Sequence, residues 1–353
     1  MENNSIELSF LSIFALLTFF VFLLIQKNLY HFNNGILLDK DFNKPQAFHD
    51  YPVSRSGGLA SLISLILFMV LHYFIFSKIF YDYLLIGIFL FSIGFLDDIK
   101  VIVKPSSRLI LMIVTLIFLI NIFSISIDNV DLIFLNFWLQ NKLFLTVFLL
   151  LCFLFIINGA NLIDGFNGLL GINILVINLI LMMISLENKE NELSILIASQ
   201  IIMILTFLLF NFPKAKIFLG DSGSYLFGAL TSLNVIYTNN LIPEISSFFF
   251  CILLFYLFYE VLFSFLRKII QKKSPLKPDN FHFHMLSYKL LKRKFPLLDC
   301  NYINSIIINL IFIILILPGF FFKDNGLICK YWFFSLLLTY TIAYLRLYHF
   351  TKN

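Results

Sequence analysis

Long apolar segments alternate with short polar ones along the whole of this chain. Eleven of the apolar segments are long enough to cross a bilayer, whose hydrocarbon layer of roughly 30 Å needs roughly 20 helical residues. Since a backbone in lipid must satisfy its own hydrogen bonds, each segment is predicted to be a helix. Their approximate limits are 6–25, 57–76, 82–97, 107–124, 142–158, 168–186, 194–211, 222–238, 246–266, 301–319 and 331–347. The pattern predicts an all-α integral membrane protein, a polytopic bundle of about eleven transmembrane helices.

Composition supports this prediction. Of the 353 residues, 60% are hydrophobic and only 13% are charged, which leaves too few charges for a water-soluble surface. A transmembrane β-barrel would show alternating segments of about ten residues, a pattern that this sequence lacks. The first apolar segment has no basic residue before it and no small-residue cleavage site after it, so we expect a retained span. We expect one membrane-embedded domain over residues 1–353.

Positive charge is distributed unevenly between the two sides. Loops that follow odd-numbered segments, together with the C-terminal tail, hold 20 of the 25 Lys and Arg residues. Nine of them lie between Arg267 and Lys294, in a basic loop of about 267–300. Because basic loops favour the cytoplasm, we expect the N-terminus outside and the C-terminus in the cytoplasm, in the inner (plasma) membrane.

Five polar islands interrupt the apolar pattern, and each lies at the predicted cytoplasmic end of a segment. In chain order they are Lys44–Gly58, Gly94–Lys100, Asn158–Gly168, Asn211–Ser224 and Ser274–His284. Because all five fall on the same predicted face, we interpret them as one active site divided among loops. The first island is the weakest, since a loop-to-helix junction explains His49, Arg55 and the Gly57–Gly58 pair about as well.

The second island contains adjacent carboxylates, Asp97 and Asp98, directly after an apolar segment. Such a pair costs several kcal/mol at a membrane unless it is solvated, paired or bound to a metal. The alternative is a charged flank that only marks the membrane edge, but such flanks are usually basic. Two adjacent carboxylates can also divide their roles, one holding a cation and the other removing a proton.

The third island places Asn158, Asn161 and Asp164 three residues apart, so that they line one side of a helical turn. Gly165 and Gly168 follow and allow a backbone to approach a ligand closely. Helix capping is the alternative reading, and it would explain one of the three polar residues rather than all of them. We interpret this island as part of a binding site.

The fourth and fifth islands add basic groups. Asn211, Lys214 and Lys216 precede Asp221 at the entrance of a predicted helix, an arrangement that suits Mg²⁺ and phosphate together, although Asp221 could equally cap that helix. His282 and His284 alternate with aromatic residues, which is typical of phosphate contact or proton handling rather than of zinc. Histidines that merely lie at a membrane interface remain the alternative.

In this order the islands resemble the polyprenyl-phosphate N-acetylhexosamine-1-phosphate transferases, over about residues 39–290. The closest motifs are Phe95–Asp98, Asn158–Gly165 and Ala215–Asp221. The resemblance implies transfer of a sugar-1-phosphate from a UDP-N-acetyl sugar to undecaprenyl phosphate, with release of UMP. It also implies Mg²⁺ as the cofactor, with Mn²⁺ as a possible substitute, and initiation of a cell-envelope glycan.

The resemblance also assigns roles to individual residues. It implies Asp221 as the principal Mg²⁺ ligand, with Asn161 beside the same metal, and Asp97 and Asp98 at the lipid phosphate, where one of them acts as base. It implies contacts with the uridine for Asp164, Asn167 and Asn211, with Phe218 stacked on uracil, and with the phosphates for Lys100, His282 and His284. Asn158 is a further substrate-binding candidate.

Four positions depart from the pattern of that family. Met285 stands where a further His is common, Asn280 where an Arg often precedes the first histidine, Met112 where Gln is frequent and Asn167 where Asp is common. The missing Arg puts one diphosphate contact in doubt, and Lys277 is a candidate to supply that charge. None of the four departures removes an acidic residue of the metal and phosphate core, so we expect activity.

Several alternatives stay open at this point. A transporter would carry its charges near span midpoints and show paired halves, and a lipid-binding or structural protein would not need carboxylates beside glycines. Within the transferases, the sugar is undetermined, with N-acetylglucosamine as the default and a fucosamine- or quinovosamine-type N-acetyl sugar of O-antigen or capsule synthesis as the rival. A phospho-N-acetylmuramoyl-pentapeptide transferase is less favoured, since that branch usually has ten spans and adjacent histidines. Membrane lipids are expected partners, a homodimer is left open, and no nucleic-acid partner is expected.

Overall fold

The computed structural model describes residues 2–29, 36–40, 51–101, 103–275, 277 and 279–352. The described part is almost entirely helical. Its helices are α1 (Glu2–Leu29), α2 (Gly57–Phe76), α3 (Tyr81–Asp98), α4 (Pro105–Ile122), α5 (Ile133–Leu139), α6 (Lys142–Ile163), α7 (Leu169–Glu187), α8 (Asn191–Asn211), α9 (Gly220–Leu241), α10 (Ser247–Leu253), α11 (Phe255–Ile270), α12 (Phe283–Lys294), α13 (Cys300–Phe321) and α14 (Gly326–Lys352). Ten of the predicted apolar segments each fall on one of these helices and the ninth falls on two, α10 and α11, so the prediction of an all-α fold is confirmed.

Eight of the described helices are long and apolar enough to cross a membrane, or nine if α10 and α11 form one span bent by 74°. The chain is therefore a multi-pass membrane protein. Two predicted spans, α3 and α9, are not among these helices because α3 carries three aspartates and α9 is rich in Ser, Thr, Asn and Gly. The number of eleven spans and the orientation of the termini stay predictions.

Helix α9 is the polar centre of the bundle. Almost all of its residues from Ser222 to Asn239 are buried, and it packs against α2, α3, α6 and α7. In its apolar surroundings Asn234 exchanges hydrogen bonds with Gln200 of α8 at 2.8 and 3.1 Å and donates to Asn178 of α7 at 3.1 Å. Such interhelical amide bonds satisfy polar groups that have no access to water.

Glycines allow the helices around the start of α9 to approach closely. A Cβ atom on Gly94 of α3 would lie 2.5 Å from the carbonyl oxygen of Asp221, and one on Gly58 of α2 would lie 2.4 Å from the amide nitrogen of Gly223. Real Cβ atoms do not tolerate such distances, so small residues are required at both contacts. The N-terminal turn of α9 is thereby held between the end of α3 and the beginning of α2.

A small sheet joins the described end of the first island to the fourth. Strand β1 (Leu38–Asp39) pairs antiparallel with β2 (Val53–Ser54), and Ser54 forms a parallel bridge with Ile217. The Phe218 amide donates to the Ser54 carbonyl oxygen at 2.8 Å. The sequence did not predict these strands. Lys44, His49 and the rest of residues 41–50 lie outside the described residues.

The predicted ninth span and the basic loop differ in detail from expectation. The ninth span is broken between α10 and α11, which are bent by 74°. The basic loop of 267–300 contains helix α12, which begins at Phe283 directly after the extended residue His282. The loop is therefore folded against the membrane domain, where α12 packs on α13 and α14.

Candidate active site

Asp98 anchors the site at the start of α9. Its side chain is buried at the end of α3, and its carboxylate accepts the backbone N–H groups of Asp221 and Ser222, both at 3.0 Å, and the Ser222 hydroxyl at 2.6 Å. These are N–H groups of the first turn, which have no partner within the helix. A carboxylate placed there also interacts favourably with the positive end of the helix dipole. Asp98 thus caps α9 from a neighbouring helix.

Gly220 makes this capping contact possible. Its φ is +77°, a backbone conformation that L side chains rarely adopt, and a Cβ atom would lie 2.6 Å from a carboxylate oxygen of Asp98. Any side chain at this position would therefore push the carboxylate away from the helix end.

Asp97 and Asp221 converge on one cation. The Arg108 nitrogen Nη1 lies 2.6 Å from Asp221 Oδ2 and 3.1 Å from Asp97 Oδ1. Arg108 lies in the first turn of α4, which begins with Pro105 and two serines. The two carboxylates are partly exposed, at 35% for Asp97 and 20% for Asp221, whereas Asp98 is enclosed. The exposed pair can therefore meet a ligand directly.

A second guanidinium lies on the other side of Asp98. Arg55 binds Asp39 through Nε at 3.1 Å and Nη2 at 2.6 Å, and its Nη1 lies 3.7 Å from Asp98. Burial alone would lower the pKa of Arg55, but the charges of Asp39, Asp98 and Asp221 raise it above the usual value. Arg55 therefore stays charged and offsets part of the acidic cluster.

The third island reaches the same place from α6. Asn161 donates from Nδ2 to the Ser224 hydroxyl at 3.1 Å, and that hydroxyl donates to the Asp221 carbonyl oxygen at 3.1 Å. Asp164 follows the last residue of α6, and burial, with the nearby charges of Asp221 and Asp98, raises its pKa to about 8. Asn158 differs from them because its amide donates back to Leu154 of its own helix at 2.7 Å.

Asn167 and Asn211 join the third island to the fourth. Asn211 is buried, accepts the Gly168 amide at 2.7 Å and donates to the Ile217 carbonyl oxygen at 2.9 Å. Asn167 donates from its side chain to the Pro213 carbonyl oxygen at 2.9 Å. In this structure both amides fix loop geometry, and their predicted contacts with a nucleotide stay predictions.

The remaining predicted residues lie in different environments. Lys100 is exposed just after α3 and has a φ of +60°, while Phe218 is half-buried in the strand-like segment beside Ser54. His282 and His284 are buried, with their rings 5.6 Å apart and nearly parallel. His282 Nδ1 is 3.1 Å from Glu260 and His284 Nδ1 is 3.4 Å from Tyr256, whereas the buried His284 Nε2 has no hydrogen-bond partner among the described residues. Whether the two histidines contact phosphate stays a prediction.

Sequence reasoning missed several groups that the structure adds to the site. Arg108 and Ser222 contact the acidic residues directly, and Asp39 holds Arg55. Arg108 was counted only among the charges that set the orientation, and Arg55 was named only in the weakest of the five islands. Their position beside acidic islands was a usable signal, whereas nothing in the sequence indicates which carboxylate each contacts.

The donor set fits a magnesium ion that is bound together with substrate. Asp97 and Asp221 already point two oxygens at one positive group, and Mg²⁺ is usually held by one or two carboxylates plus phosphate oxygens and water. Among the residues that the structure describes, no cluster of three or more His, Cys, Asp and Glu side chains could hold a metal by itself.

Comparison with known proteins gives a consistent result. The model for glycosyl transferase family 4 matches residues 80–239. An undecaprenyl-phosphate α-N-acetylglucosaminyl 1-phosphate transferase of Thermotoga maritima is 34% identical over 168 residues, 47% of this chain and 50% of that protein. A phospho-N-acetylmuramoyl-pentapeptide-transferase of Dictyoglomus turgidum is 28% identical over 292 residues, 79% of this chain and 90% of that protein.

A third relative, a probable undecaprenyl-phosphate N-acetylglucosaminyl 1-phosphate transferase of Bacillus subtilis, is 33% identical over 136 residues, 36% of each chain. The alignments thus cover half or less of the two N-acetylglucosaminyl transferases and most of the pentapeptide transferase. The matched family region includes Asp97, Asp98, Asn161 and Asp221. Over residues 80–239, the region that holds these convergent acidic residues, the chain is therefore similar to glycosyl transferase family 4.

Proposed function

We propose that this protein transfers a sugar-1-phosphate from a UDP-sugar to undecaprenyl phosphate, forming undecaprenyl-diphosphate-sugar and UMP. The observation that carries the proposal is the convergence of Asp97 and Asp221, from two different helices, on one positive charge beside a buried Asp98. Phosphoryl transfer between two anions depends mainly on charge neutralisation and positioning, and this cluster can hold a cation between them.

The chemistry would proceed by attack of a lipid phosphate oxygen on the sugar-linked phosphorus of the donor. The new P–O bond forms as the bond to the UMP phosphate breaks, and UMP leaves. Mg²⁺ would be held by Asp221, with Asn161 beside it, and would neutralise the diphosphate and improve UMP as a leaving group. Arg108 would then be free to pair with a phosphate oxygen.

The structure favours Asp97 over Asp98 as the group that accepts a proton from the lipid phosphate. Asp98 already accepts three hydrogen bonds and is enclosed, so a proton or a substrate there would break the cap of α9. Asp97 is 35% exposed, and its only described ion pair is with Arg108. A base must lie within hydrogen-bond reach of the proton that it takes, and Asp97 meets that condition with less rearrangement.

Donor choice has two candidates. The undecaprenyl-phosphate α-N-acetylglucosaminyl 1-phosphate transferase of Thermotoga maritima is 34% identical over 168 residues, and it supports UDP-N-acetylglucosamine as the default donor. The pentapeptide transferase aligns over 79% of this chain, so UDP-N-acetylmuramoyl-pentapeptide is the second candidate. We further propose eleven spans, the inner membrane and a cytoplasmic site, because the basic residues collect on the side of the acidic cluster.

The experiment is release of UMP by the purified protein with undecaprenyl phosphate, Mg²⁺ and a panel of UDP-sugars. Turnover with one donor is the expected result, and it should stop with EDTA. Asp221→Asn should lose at least about a hundredfold, because a charged ligand is removed at the transition state. Asp324→Asn, in the exposed loop before α14, is the matched control and should keep full activity.

Two results would contradict the proposal. Full activity of Asp221→Asn would remove the metal assignment, and no UMP release with any donor would remove the reaction. The orientation is tested separately by a cysteine at the exposed position of Lys100. It should react with a membrane-impermeant reagent only from the cytoplasmic side, and labelling from the outside would reverse the topology.

A further inference from the structure

Glu260 is a buried carboxylate that the proposed chemistry does not use. It lies on α11 with a relative exposure of 1%, in a segment that the family model does not match. A buried ionised carboxylate is costly unless its oxygens are hydrogen-bonded, so its partners define its role. They are the His282 ring and the Phe283 amide at Oε1, at 3.1 and 3.2 Å, and the Tyr340 hydroxyl at Oε2. Glu260 therefore joins α11, the start of α12 and the C-terminal helix α14.

The segment just before His282 is held in the same way. Asp279 accepts the Phe281 amide at 3.2 Å and pairs with Arg267 at 2.9 Å, and its Oδ1 lies 3.5 Å from His282 Nε2. Helix α14 contributes again, because the Tyr344 hydroxyl donates to the Phe281 carbonyl oxygen at 2.8 Å. Residues 279–284 are thus held at several points. Two of the groups that hold them are the hydroxyls of Tyr344, which contacts Phe281, and of Tyr340, which acts through Glu260. These two tyrosines lie about one helical turn apart on α14.

This fixed segment contacts the candidate active site through His284. Its ring packs edge-on against Phe166 at 5.7 Å, and Phe166 lies between the predicted nucleotide-binding residues Asp164 and Asn167. The His284 carbonyl oxygen accepts the Asn304 side chain at 2.9 Å, so α13 holds the same turn. Displacement of the His282–His284 segment would therefore be passed by direct contact to the loop that follows α6.

We propose that Glu260, Tyr340 and Tyr344 are positioning residues that hold the His282–His284 segment against the Asp164–Asn167 loop, an arrangement called the clamp below. This inference rests on the proposed function. The C-terminal helix then takes part in catalysis without touching the substrate. The clamp acts on geometry, and a misplacement of about 1 Å can lower a rate by about a hundredfold. Loss of one hydroxyl of the clamp is a smaller perturbation.

The test compares two tyrosines at the same helix contact. Tyr340→Phe removes only the hydroxyl on Glu260, while Tyr259→Phe removes a partly buried hydroxyl that contacts Thr341 of α14 at 3.0 Å and leaves Glu260 untouched. Both variants lose one hydrogen bond between α11 and α14, and the Tm should fall further in Tyr340→Phe because the bond it loses is to a buried carboxylate. Only Tyr340→Phe should lower kcat, by about tenfold, with KM for the UDP-sugar within about twofold of the wild type. Equal kcat values for the two variants and the wild type would overturn the proposal.

A second measurement does not depend on turnover. Lys272 and Lys273 lie on the exposed turn before Asp279 and are sites for trypsin. Tyr340→Phe and Glu260→Gln should be cleaved there faster than Tyr259→Phe in the detergent-solubilised full chain, because the clamp no longer holds the segment. Equal cleavage rates would overturn the clamp even if no UDP-sugar were turned over. An inactive wild type with faster cleavage of Tyr340→Phe would instead refute the proposed function and leave the clamp supported.

Discussion

Arg108 is the group whose replacement tests the electrostatics of the site most directly. Its Nη1 atom lies 2.6 Å from Asp221 Oδ2 and 3.1 Å from Asp97 Oδ1, so the two oxygens lie at most about 6 Å apart. Without the guanidinium, both carboxylates would face one another without a cation. Arg108→Met retains a similar apolar length and removes only the charged group. Lys104→Met removes a charge from the exposed start of the same helix and serves as the control.

The magnitude follows from Coulomb's law. Two charges about 6 Å apart repel by about 3 kcal/mol at an effective dielectric constant of about 20, and by about half of that for partly exposed groups. Unfolding entropy of about 2.1 cal/mol/K per residue gives roughly 0.7 kcal/mol/K for a chain of this length. The melting temperature of Arg108→Met in EDTA should therefore lie about 2–4 °C below that of Lys104→Met.

Magnesium should reverse this loss. A divalent cation between the same oxygens replaces the charge of Arg108. The melting temperature should therefore rise more on adding MgCl₂ in Arg108→Met than in the wild type. The difference should again be about 2–4 °C, which corresponds to the repulsion between the two carboxylates. The assay is thermal unfolding of the purified protein in detergent, with EDTA and with Mg²⁺. If Arg108→Met were as stable as Lys104→Met in EDTA, or gained no extra stability from Mg²⁺, the shared cation position would be wrong.

Three further predictions concern single residues. Asp98→Asn should lower the free energy of unfolding by about 1–3 kcal/mol, because an amide NH₂ group would face N–H donors. Asp97→Asn should change thermal stability little, and equal effects of the two substitutions would contradict the capping role of Asp98. Gly94→Ala should lower both the yield of folded protein and UMP release, since its Cβ would lie 2.5 Å from the α9 backbone, and wild-type behaviour would show that α3 and α9 can separate freely. Burial, only partly offset by Glu260, lowers the pKa of His284 to about 3, so the unfolded chain binds a proton below about pH 6.5 that the folded chain does not. Stability should then fall as the pH drops below that value, by up to about 1.4 kcal/mol per pH unit, and the melting temperature of His284→Gln should fall less between about pH 7 and about pH 5.

Apolar length and the positions of polar residues were sufficient for the secondary structure. Each predicted span lies on a helix because about 20 apolar residues in lipid have no other stable backbone conformation. The broken ninth span was not predictable in the same way. No glycine or proline marks the break between its two halves, and the 74° bend between Leu253 and Phe255 depends on what packs around it. Helix α12 was missed because its sequence is basic and would be expected in a loop.

The acidic residues of the site were found from their positions, but their partners were not. Asp97 and Asp98 look equivalent in the sequence, and the structure separates them into a partly exposed partner of Arg108 and an enclosed helix cap. The contact of His282 and His284 with phosphates stays a prediction, and in this structure three of their ring nitrogens face Glu260, Asp279 and Tyr256. Glu260 itself gave no signal, since one acid within an apolar helix has no motif around it.

The sequence by itself determined that this is a multi-pass helical membrane protein with acidic and amide residues at the ends of several helices. These properties follow from local chemistry, because hydrophobic length and charge act on each segment separately. Only the tertiary structure decided that Arg108 lies between Asp97 and Asp221, that Asp98 caps α9, and that α14 reaches the histidine segment. Those contacts join residues far apart in the chain, and they depend on close packing at Gly58, Gly94 and Gly220 that fixes which helix ends meet.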